Sequence, residues 1–295
     1  MSLFTEVWKN AYRVIFVLPP GVTLIWAYGK ILGWSGTPIS RTRPQKHPID
    51  DLYGIDTSGN LGYMELSSGK PSDVYTTSYG GSQPSIVRKA LTLLPNLDQA
   101  CFLDLGCGKG RILAVASEFP FRRIVGVELA PSLAPIARRN AAIMRERFPE
   151  RTPITVIEGD AVETPLPDGP LVVYFYQPFY RPLMRKVLAN LEQAVLRDPG
   201  RPLHVVFYNP VDADLFDDSP LFRRYYAANL PFAPEELGCG AAFEDHEDCV
   251  AVWQSRGPHI VPIPPGADVK IRVVPPGRRA EVVPDGGNRV AAPVQ

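Results

Sequence analysis

With 295 residues, 45% hydrophobic and 21% charged, the chain can bury one large core of roughly 200 residues plus extensions, so one catalytic domain with appendages fits better than two equal domains. The 31 basic and 31 acidic residues cancel, which leaves no clear nucleic-acid signal in the overall charge. The four cysteines, at 101, 107, 239 and 249, form neither a CxxC pair nor an even ladder of loops, which argues against a disulfide scaffold and for a reducing, cytoplasmic compartment.

Residues 1–35 read as an apolar N-terminal extension. Its uncharged run "VIFVLPPGVTLIWAYG" (14–29) is shorter than the roughly 20 residues a spanning helix needs, and Pro19-Pro20-Gly21 interrupts helical hydrogen bonding at its middle. Glu6 among the basic residues, with no small-x-small cleavage site after the run, disfavours a secretory signal. The expectation is an amphipathic or partly buried extension able to rest on a membrane surface through residues 12–32. Residues 36–83 are rich in Gly, Ser, Thr, Asp and Pro ("GIDTSGN", "SSGKPSD") and read as irregular chain, a candidate lid.

An organised domain is expected over 84–256. "PSIVRKALTLL" carries apolar residues at helical spacing behind a proline, predicting a helix over 84–94. Strands are predicted over 101–105, 123–129, 154–158, 171–176 and 203–208, with helices over 111–119, 132–148 and 181–196 between them. Strands fed by helices at this spacing make βαβ units, so the fold class is a doubly wound, mostly parallel α/β sheet covered on both faces. Two further strands, over 222–230 and 249–254, would close its edge as a seven-stranded sheet. Residues 257–295 are Pro- and Gly-rich with short β-prone interludes, an added strand or a tail.

The stretch "CFLDLGCGKGR" (101–111) sits at the carboxyl end of the first strand, where such sheets bind ligands. Gly106, Gly108 and Gly110 allow a sharp turn and close approach of backbone to a ligand, and Asp104 offers an anionic acceptor to loop amides or to an ammonium group. A dinucleotide fingerprint reads GxGxxG; here the third glycine comes one place early and Arg111 stands where the last should be, which disfavours a pyrophosphate. Glu128 ends the second strand, placed to accept hydrogen bonds from a ribose diol. Asp160 in "EGDA" follows the third strand, placed for an exocyclic amine. Acids after three successive strands suit a cofactor with an ammonium, a ribose diol and an adenine amine but no phosphate.

"DLGCGKGR", "GVEL", "EGDA" and "VVYFYQPF" resemble the successive motifs of class I S-adenosylmethionine-dependent methyltransferases over roughly residues 84–254. The resemblance is closest to a bacterial group that carries "DTSG" (56–59) and "FRRIVGVEL" (121–129). It implies a Rossmann-like methyltransferase sheet and S-adenosylmethionine as cofactor. The cofactor-site candidates are Asp104, Gly106, Cys107, Gly108, Gly110, Glu128, Leu129, Asp160 and Ala161, with Tyr79 and Gln83 reaching the methionine end or the substrate from upstream.

Displacement at a sulfonium methyl needs alignment more than acid or base, so the segment after the fourth strand sits at the reaction centre. N-methyltransferases acting on amides or exocyclic amines use a (Asp/Asn)-Pro-Pro-(Tyr/Phe) loop there. Gln177-Pro178-Phe179 only resembles it, with Gln in first place and one Pro missing, which puts a nucleobase acceptor in doubt. Gln177, Phe179 and Tyr180 are the acceptor-site candidates, and the acceptor is a small molecule or a protein. His246 in "EDHED" and Cys249 lack a metal-ligand spacing, so no metal is expected. A non-catalytic S-adenosylmethionine-binding module and a nicotinamide-dependent oxidoreductase remain as alternatives; reduced nicotinamide bound in preference to the sulfonium would favour the latter.

Overall fold

Five parallel strands, four of them with almost wholly buried side chains, build the centre of the protein. They are seen in a computed structural model that describes residues 46–239, 246–258, 261–262, 270–274 and 279–283. The apolar run 14–29, and with it the membrane-surface expectation, lies outside the described residues. Strands β1 (Cys101–Leu105), β2 (Arg123–Glu128), β3 (Ile154–Glu158), β4 (Leu171–Tyr176) and β5 (Leu203–Tyr208) pair in parallel. Two antiparallel strands, β6 (Phe222–Pro231) and β7 (Glu247–Ser255), complete a seven-stranded sheet of order β3-β2-β1-β4-β5-β7-β6. The sequence expectation of a seven-stranded, mostly parallel, doubly wound sheet is what the chain forms.

Alternate residues of each central strand serve opposite faces, as the two-residue pleat requires. Phe102, Val172, Tyr174, Val206 and Tyr208 join the core layer beneath helices α2 (Pro84–Leu91), α3 (Arg111–Ala116) and α4 (Ala134–Arg147). Leu103, Val173, Phe175, Val205 and Phe207 join the layer beneath α5 (Arg181–Arg197). Both faces are covered, which is why these strands read as continuous apolar runs rather than alternating ones. Helix boundaries differ from the sequence reading at their C-termini: α2 stops at Leu91 and α3 at Ala116, where the Thr92 and Ser117 N–H groups close the last turns.

Residues 46–83 pack onto this sheet. Helix α1 (Pro48–Tyr53) is capped by the His47 ring, whose Nδ1 accepts the Ile49 N–H, and stops at Gly54, φ 71°. Ile49, Tyr53 and Ile55 are buried in the same core layer as α2. Two short 3₁₀ turns (Tyr63–Leu66 and Pro71–Tyr75) then lead into a strap, 76–82, that lies along the carboxyl edge of the sheet. A five-residue helix α6 (Ala213–Asp217) follows β5. After the sheet, β8 (Lys270–Val274) and β9 (Arg279–Val283) form a separate antiparallel pair. It is fastened to the sheet by the Ala280 N–H to Asn209 Oδ1, 2.7 Å, and the Val282 N–H to Asn229 Oδ1, 2.8 Å.

Candidate active site

The strand order reverses between β1 and β4, which diverge to their own sides of the sheet, and a cleft opens at the carboxyl ends beside that point. It encloses about 880 Å³ including its open mouth. Asp104, Glu128 and Asp160, at the ends of β1, β2 and β3, all line it.

Each acid sits in a different electrostatic setting. Glu128 accepts the Gly108 N–H on Oε2, 2.7 Å, and the Ala130 N–H on Oε1, 2.8 Å; burial nevertheless pushes its carboxyl above the ordinary range, against the pull of those N–H groups. At Asp104, burial, reinforced by the Glu128 charge, holds the carboxyl well above the usual carboxylate range. Asp160 accepts the Ser72 hydroxyl on Oδ2 and the Val162 N–H on Oδ1, 3.0 Å. Ser72 thereby ties the second 3₁₀ turn to the end of β3.

The glycine loop is held differently from the sequence expectation. Gly106 lines the cleft, and its N–H and that of Cys107 both donate to Val127 O, at 2.8 and 3.0 Å. Gly108 and Gly110 do not line it. A Cβ on Gly108, whose φ is 56°, would fall 2.3 Å from the Tyr79 ring; one on Gly106, φ 89°, would fall 2.6 Å from Pro178. The absent side chains make room for Tyr79 and Pro178, so the close approach is made by protein. Gly110 precedes α3 and faces Ala137 of α4. Cys107, Leu129 and Ala161 line the cleft, and burial raises the Cys107 thiol well above its ordinary value, which keeps it unreactive.

Tyr79 lines the cleft with its hydroxyl donating to Thr57 O, 2.6 Å. Gln83 does not line it: its side chain is buried against His47, Oε1 to Nε2 3.2 Å, because it begins α2 on the core side. Sequence reasoning missed Arg111 and Ser82, both cleft-lining and buried. Arg111 donates from Nε to Thr57 Oγ1, 2.9 Å, from Nη2 to Thr57 O, 3.0 Å, and from Nη1 to Ser82 O, 3.3 Å. Thr57 and Ser58 in turn donate to the buried Asp50 carboxylate. The stretch "DTSG" therefore fastens α1 and the strap to the glycine loop. An arginine opening a helix whose other residues are all apolar was the available signal.

Of the acceptor candidates, only Phe179 lines the cleft, beside Tyr174 and Tyr176. Gln177 does not: with φ 37° it turns to Asn209, whose Nδ2 donates to Gln177 Oε1 at 2.8 Å, while Thr77 Oγ1 donates to its backbone oxygen at 2.8 Å. Tyr180 does not either; it is the residue before α5, and its N–H donates to Tyr75 O, 2.7 Å. Among the described residues no group of three or more His, Cys, Asp or Glu side chains is arranged to hold a metal.

Residues 102–200 match the family described as "Methyltransferase domain". The chain is 38% identical over 158 residues to a release factor glutamine methyltransferase of Geobacter sulfurreducens, a match covering 52% of this chain and 47% of that protein. It thus spans about half the length of that curated relative. Among solved structures it is similar to precorrin 8W decarboxylase of Methanobacterium thermoautotrophicum, with 18% identity, TM-score 0.42, and coverage of 60% of this chain and 92% of that one. It is also similar to an MtNAS variant in complex with S-adenosylmethionine, with 19% identity, TM-score 0.40, and coverage of 59% and 62%. Sheet order and an acid-lined cleft at the carboxyl ends of the strands give the domain a Rossmann-like architecture. The family match places a methyltransferase domain over residues 102–200, on that sheet.

Proposed function

We propose that the protein transfers the sulfonium methyl group of S-adenosylmethionine to a small-molecule or protein acceptor by in-line displacement. The observation that carries the reading is the row of three carboxyl groups, Asp104, Glu128 and Asp160, along one cleft at the ends of three adjacent strands. Asp104 would take the ammonium group, Glu128 the ribose hydroxyls and Asp160 the adenine amine. The cofactor supplies an activated methyl group; the protein aligns the acceptor and excludes water, with Tyr174, Tyr176 and Phe179 as the aromatic wall on the β4 side. The Geobacter relative is named for glutamine methylation in a release factor. Against carrying that acceptor over, the Gln177 carbonyl already accepts the Asn209 amide and turns from the cleft.

Calorimetric titration tests the reading. S-adenosylmethionine should bind with a Kd on the order of micromolar, and reduced nicotinamide cofactor should not; the reverse result would make the protein an oxidoreductase. Glu128→Ala removes charge-assisted hydrogen bonds worth roughly 1.5–3 kcal/mol, so affinity should fall about 10- to 100-fold. Unchanged affinity would remove Glu128 from the ribose. The apolar segment 12–32 would bring this activity to a membrane surface, which co-sedimentation of the full chain with anionic vesicles tests; recovery entirely in the supernatant refutes it.

A further inference from the structure

Helix α4 buries Ala134, Ala137, Asn140 and Met144 and turns Arg138, Arg139 and Arg145 to solvent on its opposite side, as the 3.6-residue period requires. Arg147, also exposed, ends the helix. Helix α1 packs beside that end. The Tyr53 and Phe148 rings meet edge to face at 5.3 Å, and the Arg151 guanidinium lies 4.1 Å from the Phe148 ring centre and 5.4 Å from that of Tyr53. The Arg147 guanidinium lies against Gly54, where a Cβ would fall 2.3 Å from it. Next to Tyr53 in α1 stands Leu52, 61% exposed, the most exposed large apolar side chain among the described residues.

Several acids near this face are engaged: Lys46 pairs with Asp51, Arg138 Nη1 with Glu158 at 3.2 Å, and Arg151 Nε with Glu150 at 3.9 Å. On the helix itself Glu146 stands against Arg139, Arg145 and Arg147, so the face carries a surplus of positive charge. The chain that leads into α1 has the same sign. Residues 7–49 hold six Lys or Arg and no Asp or Glu, around the apolar run 14–29. Basic residues beside an apolar segment, with Leu52 projecting from the folded face, are complementary to a surface that is anionic outside and apolar just beneath, which is an anionic bilayer. A nucleic acid would answer the charge but not the apolar groups. A single short hydrophobic anchor holds a protein to a bilayer only marginally, and a basic patch nearby supplies the second signal.

We infer that the face formed by Leu52 of α1 and Arg139, Arg145 and Arg147 of α4 docks on an anionic lipid surface, as a second contact beside segment 12–32. The inference extends the membrane-surface reading of that segment and rests on it. Leu133, the residue before α4, lines the cleft, and Arg145 lies about 18 Å farther along the helix axis. Docking at that end keeps the mouth of the cleft accessible.

The test is co-sedimentation of the full chain with vesicles of phosphatidylcholine alone and of an equal mixture of phosphatidylcholine and phosphatidylglycerol. Wild type is compared with the double variant Arg139→Gln/Arg145→Gln and with Leu52→Ser, and thermal melts check that each variant folds. Wild type should bind the mixed vesicles more tightly, with a preference that shrinks as salt is raised. The double variant should lose about 10-fold or more of its affinity for them, since each basic residue at such a surface contributes about 5-fold, and should keep its affinity for phosphatidylcholine. Leu52→Ser should weaken binding to both. Unchanged affinity of the double variant for the mixed vesicles would overturn the docking face while leaving segment 12–32 as the membrane contact; if that variant does not fold, unchanged binding by Leu52→Ser overturns it. Recovery of wild type in the supernatant with both vesicles refutes the membrane reading itself, and the inference with it. Binding of a single-stranded RNA oligonucleotide that the double variant loses while its vesicle binding is intact would assign the face to nucleic acid instead.

Discussion

Asp104 and Glu128 are buried carboxyl groups whose ionisation a bound cation would favour. Burial raises both above their ordinary values, and for Asp104 the neighbouring Glu128 charge adds to the effect. A raised folded-state value favours folding below the unfolded carboxylate range, and that contribution is lost as pH rises through the folded value. Binding a cation has the opposite requirement, since it needs the ionised form. Affinity for S-adenosylmethionine should therefore strengthen as pH rises above about 4 and level off once both groups are ionised, with protons released on binding. Titrations in two buffers of different ionisation enthalpy measure that release, and a pH-independent Kd with none would contradict the placement of the cofactor's positive end. His47 has the complementary behaviour. Burial first and the Arg111 charge second lower its ring to about 4 from 6.5. Its contribution to stability is complete above about pH 6.5 and is lost as pH falls toward 4, roughly 3 kcal/mol in all. Thermal melts of His47→Gln should show a shallower loss across that window than wild type.

At the scale of elements, the glycine loop and the strap act as one unit. The Tyr79 ring rests where a Gly108 side chain would project, and its hydroxyl is held by Thr57. Gly108→Ala adds both a left-handed residue and a clash with that ring, so it should destabilise the fold by about 1–3 kcal/mol and weaken cofactor binding. Chemical denaturation combined with titration reads both, and an unchanged midpoint would mean that Tyr79 yields freely. Strands β1, β2, β4 and β5 were legible in the sequence because each is a five- or six-residue stretch dominated by apolar residues, the signature of a strand covered on both faces. The three strand-end acids were legible because a parallel sheet sends every such end to the same edge. Gln83 and Gln177 were not. Gln83 is turned inward by a partner 36 residues away, and Gln177 by a left-handed backbone and Asn209. Helical periodicity and motif spacing carry no information about such distant partners. Arg111 escaped for the same reason, since the Thr57 and Ser82 oxygens that hold it lie in a stretch that reads as irregular chain.

The whole molecule closes on itself around the loop that follows β4. Asn209 stands between Gln177 and the Ala280 N–H. A backbone N–H can only donate, so it fixes the Asn209 amide with its oxygen toward the hairpin and its nitrogen toward Gln177. Asn209→Ala breaks both bonds, at about 1 kcal/mol each. It should lower the unfolding free energy while leaving S-adenosylmethionine affinity within a factor of about 2, because the row of acids lies on the opposite side of β1 from β5. Thermal unfolding and titration of the same variant check the two halves of that expectation, and a large loss of affinity would show that hairpin and cofactor cleft are coupled.

Thr77 reaches Gln177 from before the sheet and Ala280 reaches it, through Asn209, from beyond the last sheet strand. This braces the turn at Gln177 from segments that lie before and after the sheet in sequence. During synthesis the five parallel strands are all present once Tyr208 has emerged from the ribosome, but the Asn209 amide that holds Gln177 gains its Ala280 partner only later. Contacts of such long sequence separation are also slow to form in refolding. A nascent chain should therefore complete the strands that frame its cleft before the turn at Gln177 is fully braced, so that the site's floor precedes its rim.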